Sequence, residues 1–332
     1  MSTLEDVARR AGVSLATASR VLNGSRRVGD AMRQRVQQAA AELDYEPDAN
    51  AQTLARGSSN LIGLVVHDLT DPYFAAVAEG AMRAADRSGL IVVVGSTYRD
   101  PEREISYVST LRAQRVKAIL LAGSRISDQQ ATARLRAELN RYLDSGGRVA
   151  CVGQDLLGVG TIAPGNRSGA AALARALAGL GHHRFAVLAG PAGLVTAADR
   201  SAGFSSALAE LGLPEPLVVH GGFDRDGGYD SVQKVLGTDA TCVFAVNDVM
   251  AVGALAALRE HGVQVPGDLS VAGFDDITTL HDLVPALTTV RLPLAELGEW
   301  ALDFALADSV QPQVRHVEGE VVLRTSTRSL DS

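Results

Sequence analysis

From residue 61 onward, short β-rich runs alternate with Ala/Leu-rich amphipathic stretches, and this pattern limits the fold more tightly than any other feature of the chain. The runs are Leu61–Val66, Leu90–Gly95, Ala118–Ala122, Val149–Val152, Phe185–Ala189, Leu217–Val219, Cys242–Val246 and Leu269–Ala272. Between them lie helical patterns such as Ala75–Ser88, Gly169–Leu180, Ser201–Leu211, Met250–His261 and Ala295–Ala307. Strand–helix–strand alternation produces parallel sheets covered by helices on both faces, the doubly wound α/β class. Roughly ten strands suit one large sheet or two smaller ones. The stretch Gly158–Asn166 is poor in long apolar side chains, which favours two.

Open parallel sheets bind ligands beyond the carboxyl ends of their strands. The residues delivered there are His67-Asp68, Ser96-Thr97, Ser124-Arg125, Gln154-Asp155, Phe223-Asp224, Asn247-Asp248 and Asp275-Asp276. Hydroxyls, amides and carboxylates with one aromatic suit a neutral polyol, which needs donors, acceptors and a flat apolar surface. A nucleobase could use the same groups.

Ahead of this body, residues 4 to 23 read as two short helices joined by a tight turn. Thr3 caps the first helix, with Asp6 as the acidic half of a capping box. Gly12 ends it, because glycine tolerates the left-handed backbone of a helix terminus. Ser14 caps the second helix, on which Ala18, Val21 and Leu22 share one inward face. The other face carries Leu15, Ala16, Ser19, Arg20 and Asn23, small and polar with one long arginine. Such a ridge fits a DNA major groove: small residues let the backbone approach, and Arg can fork onto guanine for about 1–3 kcal/mol of discrimination. Leu15 and Ala16 offer apolar contact at the helix start, while Thr17, Ser19 and Asn23 suit phosphate oxygens. Asp30 to Leu43 forms a third helix, its Val36, Ala40 and Leu43 completing a small core. The formal charge of −7 argues against a nucleic-acid binder, but its distribution reverses that. Residues 9 to 35 hold seven arginines against one aspartate, a basic head on an acidic body.

The segment GVSLATASRVLNG resembles the DNA-reading part of the lac-repressor (LacI/GalR) family of bacterial transcription regulators. The resemblance extends over nearly the whole chain, through Asp71-Pro72-Tyr73-Phe74, Arg200-Ser201-Ala202-Gly203-Phe204, Asn247-Asp248 and Gly273-Phe274-Asp275-Asp276. It implies a helix-turn-helix domain over 1–46, with Thr3 among its DNA contacts, and a hinge helix over 47–58. In that hinge Ala51 and Leu54 would meet the minor groove, Leu54 as a wedge. It further implies a periplasmic-binding-protein-like body of two parallel-sheet subdomains. The first spans 59–163, with 291–322 returning to it, and the second 164–290. By the same resemblance Arg200, Asn247 and Asp275 are polar effector contacts, Phe223 an aromatic platform, Tyr73 and Phe74 a lid, and Gln154 a further contact.

Enzyme signatures are missing. Lys117 and Lys234 are the only lysines, and neither follows P-loop glycine spacing. Gly158-Val159-Gly160 is interrupted by Pro164, His182-His183 cannot both face one metal, and no nucleophile elbow is visible. Cys151 and Cys242 sit in apolar runs, as reduced core cysteines of a cytosolic protein do. No export signal or membrane span is evident. The expectation is therefore a cytoplasmic, non-enzymatic regulator needing no cofactor. It would bind a pseudo-palindromic double-stranded operator as a homodimer, with no tail for tetramer assembly, and would repress under control of a small-molecule effector. A sugar is the first choice of effector and a nucleoside or purine the alternative. A transport-type sugar receptor fits the body but not the arginine-rich head.

Overall fold

The computed structural model describes residues 2–22, 28–45, 59–280, 282–307 and 312–330. Asn23, the hinge segment 47–58 and its Ala51 and Leu54 lie outside these residues. The chain divides into two units, 1–60 and 61–332.

In the first unit three helices are described, α1 (Leu4–Ala11), α2 (Leu15–Leu22) and α3 (Asp30–Glu42). Both halves of the Thr3–Asp6 capping box form, and Gly12 ends α1 at φ 64°, the left-handed conformation a side chain resists. Ser14 Oγ accepts the Thr17 N–H at 3.2 Å and starts α2. Gly29 stands at the start of α3 without a side-chain bond. Val7, Ala8, Ala11, Ala18, Val21, Val36 and Ala40 close a small core among the three helices. An ion pair of Arg10 with Glu42 at 2.6 Å ties α1 to α3.

The second unit contains two parallel sheets. The first has six strands in the order β11-β5-β4-β3-β1-β2. These are β1 (Leu61–Val66), β2 (Ile91–Ser96), β3 (Ala118–Ala122), β4 (Val149–Val152), β5 (Gly160–Pro164) and β11 (Val314–Val317). The second has four strands, β7-β6-β8-β9, formed by β6 (Phe185–Leu188), β7 (Leu217–Val219), β8 (Cys242–Ala245) and β9 (Ser270–Ala272). A short antiparallel ribbon pairs β10 (Thr289–Arg291) with β12 (Glu320–Val322). Every neighbouring pair within the two large sheets is parallel.

The first lobe carries α4 (Pro72–Asp86), α5 (Pro101–Ala113), α6 (Gln129–Asp144) and the late helix α11 (Leu294–Leu306). The second carries α7 (Asn166–Gly179), α8 (Val195–Glu210), α9 (Arg225–Gln233) and α10 (Asp248–Glu260). Helix α11 docks on α4 at two glycines. A methyl group on Gly80 would lie 1.7 Å from the Ala295 carbonyl oxygen, and one on Gly298 would lie 1.9 Å from that of Val77, so only glycine permits this approach. The chain thus passes between the lobes after β5, after β10 and after β11. One apolar core runs from Ile62 and Leu64 in the first lobe to Val187 and Phe244 in the second. In the second lobe Phe204 stacks on Phe244 with ring centroids 4.7 Å apart.

Two sequence expectations need correction. The supposed interruption at Gly158–Asn166 contains β5, whose small residues pair between β4 and β11, so it is strand and not a break. Three helices begin earlier than their apolar pattern suggested. Helix α4 starts at Pro72 under an Asp71 cap, α7 at Asn166 instead of Gly169, and α8 at Val195 instead of Ser201. Those first turns carry Tyr73 and Phe74, Asn166 and Thr196 to the space between the lobes.

Candidate functional site

Beyond the carboxyl ends of the strands, the lobes face each other across a cleft. From the first lobe come His67 and Asp71, with Tyr73 and Phe74 on the opening turn of α4, and then Arg99 and Ser124. Asn166, Thr196, Arg200, Phe223 and Asp275 face them from the second.

Arg200 is the most heavily held of these. Its Nη1 and Nη2 donate to the two carboxylate oxygens of Asp275, at 3.1 and 2.7 Å. Nη1 also donates to the Val246 carbonyl at 2.8 Å, and Nε to Asn166 Oδ1 at 2.8 Å. The guanidinium lies 3.9 Å over the Phe274 ring. A buried charge this deep must be paired and stacked, because its desolvation is otherwise prohibitive. Burial pushes the Asp275 carboxyl upward, and Arg200 opposes it. The Asp275 backbone sits at φ 117°, a strained conformation that the surrounding bonds impose.

The first lobe's wall is less tightly bound. His67 is buried; its Nε2 lies 2.7 Å from the Ser124 carbonyl and its Nδ1 3.1 Å from the Thr97 hydroxyl. Burial and the charges of Arg125 and Arg99 push the imidazole down to about 3, so it is neutral. Nε2 therefore donates to Ser124, and Nδ1 accepts from Thr97. Burial raises Asp71 to about 6, helped by the nearby Asp275, and it also pushes the Tyr73 phenol upward. The Arg99 guanidinium rests 5.5 Å from the Phe223 ring centroid, so the two lobes touch across the mouth.

A lip closes one side. Val195 N donates to the Arg125 carbonyl at 3.0 Å and Ser127 N to that of Gly193 at 2.8 Å. Thr196 N donates to Ser124 Oγ at 2.9 Å.

The structure brings together Tyr73, Phe74, Arg200, Phe223 and Asp275, as the sequence reading grouped them. It does not bring Gln154 or Asn247 into the cleft lining. Gln154 is occupied in the lip, accepting from Arg125 N at 2.9 Å and donating to Thr196 Oγ1 at 2.8 Å. Asn247 caps α10 through the Met250 N–H at 2.8 Å and donates to the Phe223 carbonyl at 3.5 Å, so it works behind the aromatic ring. Sequence reasoning did not single out Asp71, Arg99, Asn166 or Thr196, and it placed His67 and Ser124 at the ligand end of the sheet without giving them a role. His67 and Ser124 stood at strand ends, and that position was the available signal.

In the first unit Leu15, Ala16 and Arg20 are exposed along α2, while Thr17 and Ser19 are half-buried. Thr3 is exposed, but its hydroxyl serves the capping box. Among the described residues no three His, Cys, Asp or Glu are grouped to hold a metal ion, and no helix is long and apolar enough to cross a membrane.

Residues 3–48 match the lacI family of bacterial regulatory proteins, and residues 174–327 match a periplasmic binding protein-like domain. The chain is 33% identical to the HTH-type transcriptional regulator GalR of Escherichia coli K12, over 100% of this chain and 98% of that protein. It superposes on the lac repressor dimer bound to operator and the anti-inducer ONPF with a TM-score of 0.85, at 29% identity, covering 98% of this chain and 99% of that one. A complex of the transcriptional regulator CelR with cellobiose gives a TM-score of 0.70 at 28% identity, covering 98% and 100%. A basic helix-turn-helix head joined to a two-lobed receptor, with similarity of this extent to GalR, shows that the chain is a DNA-binding transcription regulator of the lacI family.

Proposed function

We propose that this regulator is a cytoplasmic, non-catalytic repressor that binds a pseudo-palindromic operator as a homodimer and answers to a sugar held between its lobes. The observation that carries the sugar reading is the composition of the cleft walls. Phe223 offers a flat apolar face, while Asn166, Thr196, Ser124 and Asp275 present amide, hydroxyl and carboxylate groups around it. A ring with one apolar face and a rim of hydroxyls uses both. The complex of the related CelR with cellobiose supports the same choice.

On this reading Tyr73 and Phe74 form the wall under the ring, and Arg200 and Asp275 fix its orientation. Thr17, Ser19 and Arg20 contact DNA with Leu15, Ala16 and Ser14 beside them, one head per half-site. Sugar binding stabilises the closed arrangement of the lobes, and the closed and open forms differ in DNA affinity. The ligand shifts that balance only by its preference for one form. The test is a thermal-shift screen of the full chain against sugars and nucleosides, paired with gel shifts on promoter fragments. A sugar that raises the melting temperature and changes operator affinity supports the reading. A response to nucleosides alone would replace the sugar, and no preference for any promoter fragment over random duplex would remove the repressor.

A further inference from the structure

Beside the main cleft lies a second, smaller cavity, and the two share His67, Arg99 and Ser124 as a common wall. The second cavity is bounded by the amino ends of α5 and α6, through Pro101 and Ala131, and by Arg125. Arg125 is buried and pairs with Glu104 through Nη1 at 2.7 Å. Its Nε and Nη2 are also buried, yet they have no hydrogen-bond partner among the described residues. Two orphaned N–H donors on a buried guanidinium are costly unless an acceptor arrives. Arg99 lines both cavities; its guanidinium lies over the Phe223 ring, and its charge acts on His67 and Asp71. Its backbone, like that of Tyr98 before it, is left-handed, at φ 61° and 54°. Two successive non-glycine residues in that region mark an imposed conformation.

The carboxylates at this wall are already engaged. Asp100 and Asp128 cap α5 and α6, and Glu104 holds Arg125. His67 donates its N–H to Ser124 and adds no charge. What is left over is cationic: half of the Arg125 fork, with the Arg99 guanidinium beside it, whose charge also acts on Asp71. Two helix amino ends add partial positive charge on the same side.

We propose that the effector carries an anionic group, a phosphate ester or a carboxylate, which enters the second cavity and is received by Arg99 and Arg125. This rests on the sugar reading above and narrows it to sugar phosphates and sugar acids. The ring stays in the main cleft against Phe223, and the charged arm passes His67. A planar guanidinium with two adjacent free donors matches such a group in bidentate geometry.

The experiment measures the affinity of the full chain for matched compounds. Glucose, galactose, mannose and ribose are each titrated beside their terminal phosphates, and the hexoses also beside their uronic acids. The measurements are repeated on Arg99→Gln and on Arg125→Lys, which keeps a charge for Glu104 and so protects the fold while losing the fork. The expected result is that a charged form binds at least about tenfold more tightly than its neutral parent, and that each variant collapses this ratio toward one. A neutral sugar binding as tightly as its charged form would overturn the inference and leave the sugar reading standing. So would a ratio that survives both substitutions. If no sugar binds, neutral or charged, the sugar reading itself falls and takes this one with it.

Discussion

Arg200 and Arg20 are the same side chain put to opposite uses. In the cleft Arg200 is 3% exposed and spends its donors on Asp275, Asn166 and Val246 before any ligand arrives. In the head Arg20 is exposed, and no hydrogen bond or ion pair holds it among the described residues. The difference follows from the partner. A duplex brings a dense array of negative charge and acceptors, so a solvated arginine can find its partner on arrival. A small ligand brings little, so its receptor must hold donors and acceptors in place beforehand or the ordering cost consumes the affinity. Removing Arg200 should therefore damage the protein itself, whereas removing Arg20 should damage only recognition.

Arg200→Ala tests this most severely. It leaves Asp275 buried at a raised pKa without its cation, and breaking a buried pair costs about 3–5 kcal/mol. The melting transition of the body should fall by many degrees, and the response to effector should vanish even where the chain stays folded. An Arg200→Ala protein with native stability would mean that the Asp275 network is decoration. Asp275→Ala should show a similar loss, since it strands Arg200 in the same pocket; Asp275 is part of the scaffold as well as a candidate contact.

Next in size is a pH effect that the head should not share. Burial holds Asp71 near 6 against an ordinary value near 3.8. A carboxyl raised in the folded state gives stability that is complete below pH 4 and lost as the pH climbs through 6. The loss is on the order of 3 kcal/mol at 1.36 kcal/mol per unit. Thermal melts between pH 4 and 7 should fall along that slope, and Asp71→Asn should make it shallower, leaving the part due to buried Asp248, which burial raises to about 7. In the head, by contrast, the Asp6 carboxyl is held below the usual range, first by the Thr3 hydroxyl, so the head should lose nothing in this window.

Arg20→Ala should leave the melting temperature within a degree or so, because exposed substitutions away from caps and cores rarely matter. Its cost should appear in gel shifts as a loss of about 1–3 kcal/mol of discrimination per half-site. An unchanged preference for operator over random duplex would shift base recognition away from this helix face.

The contrast also explains which features were legible in the sequence. The head was legible almost residue by residue, because a capping box, a terminal glycine and a three-four spacing are local signals, and its recognition face is simply what is left outside. The parallel-sheet class of the body followed from alternation; Phe223 and Asp275 stood at strand ends, where that fold puts ligands, and Arg200 came from the family resemblance. What escaped was whatever depended on the lobes closing. Asn166 and Thr196 lie on opening helix turns ahead of the apolar pattern that marked each helix. Arg125 stood at a strand end without an assigned role and Arg99 was not singled out; the pairing with Glu104 and the contact with Phe223 give them meaning. Gln154 and Asn247 were chosen for chemistry suited to a ligand, but neighbouring protein atoms occupy that chemistry.

Gln154 supplies the finest version of the comparison, since it behaves neither like Arg200 nor like Arg20. Its side chain joins the lobes by donating to Thr196 Oγ1 at 2.8 Å, but two backbone bonds, from Val195 N and Ser127 N, cross the same lip without it. Gln154→Ala should thus cost about 0.5–1.5 kcal/mol, the net worth of such a bond, and only in the closed form. Global stability should barely move, because opening is a local event. Effector affinity should fall by up to about tenfold, mostly through faster release, since the lip holds a ligand already seated. A stopped-flow measurement separates the two rates. If the on-rate falls and the off-rate does not, Gln154 guides the ligand in and is a true contact; if the off-rate alone rises, it is a latch.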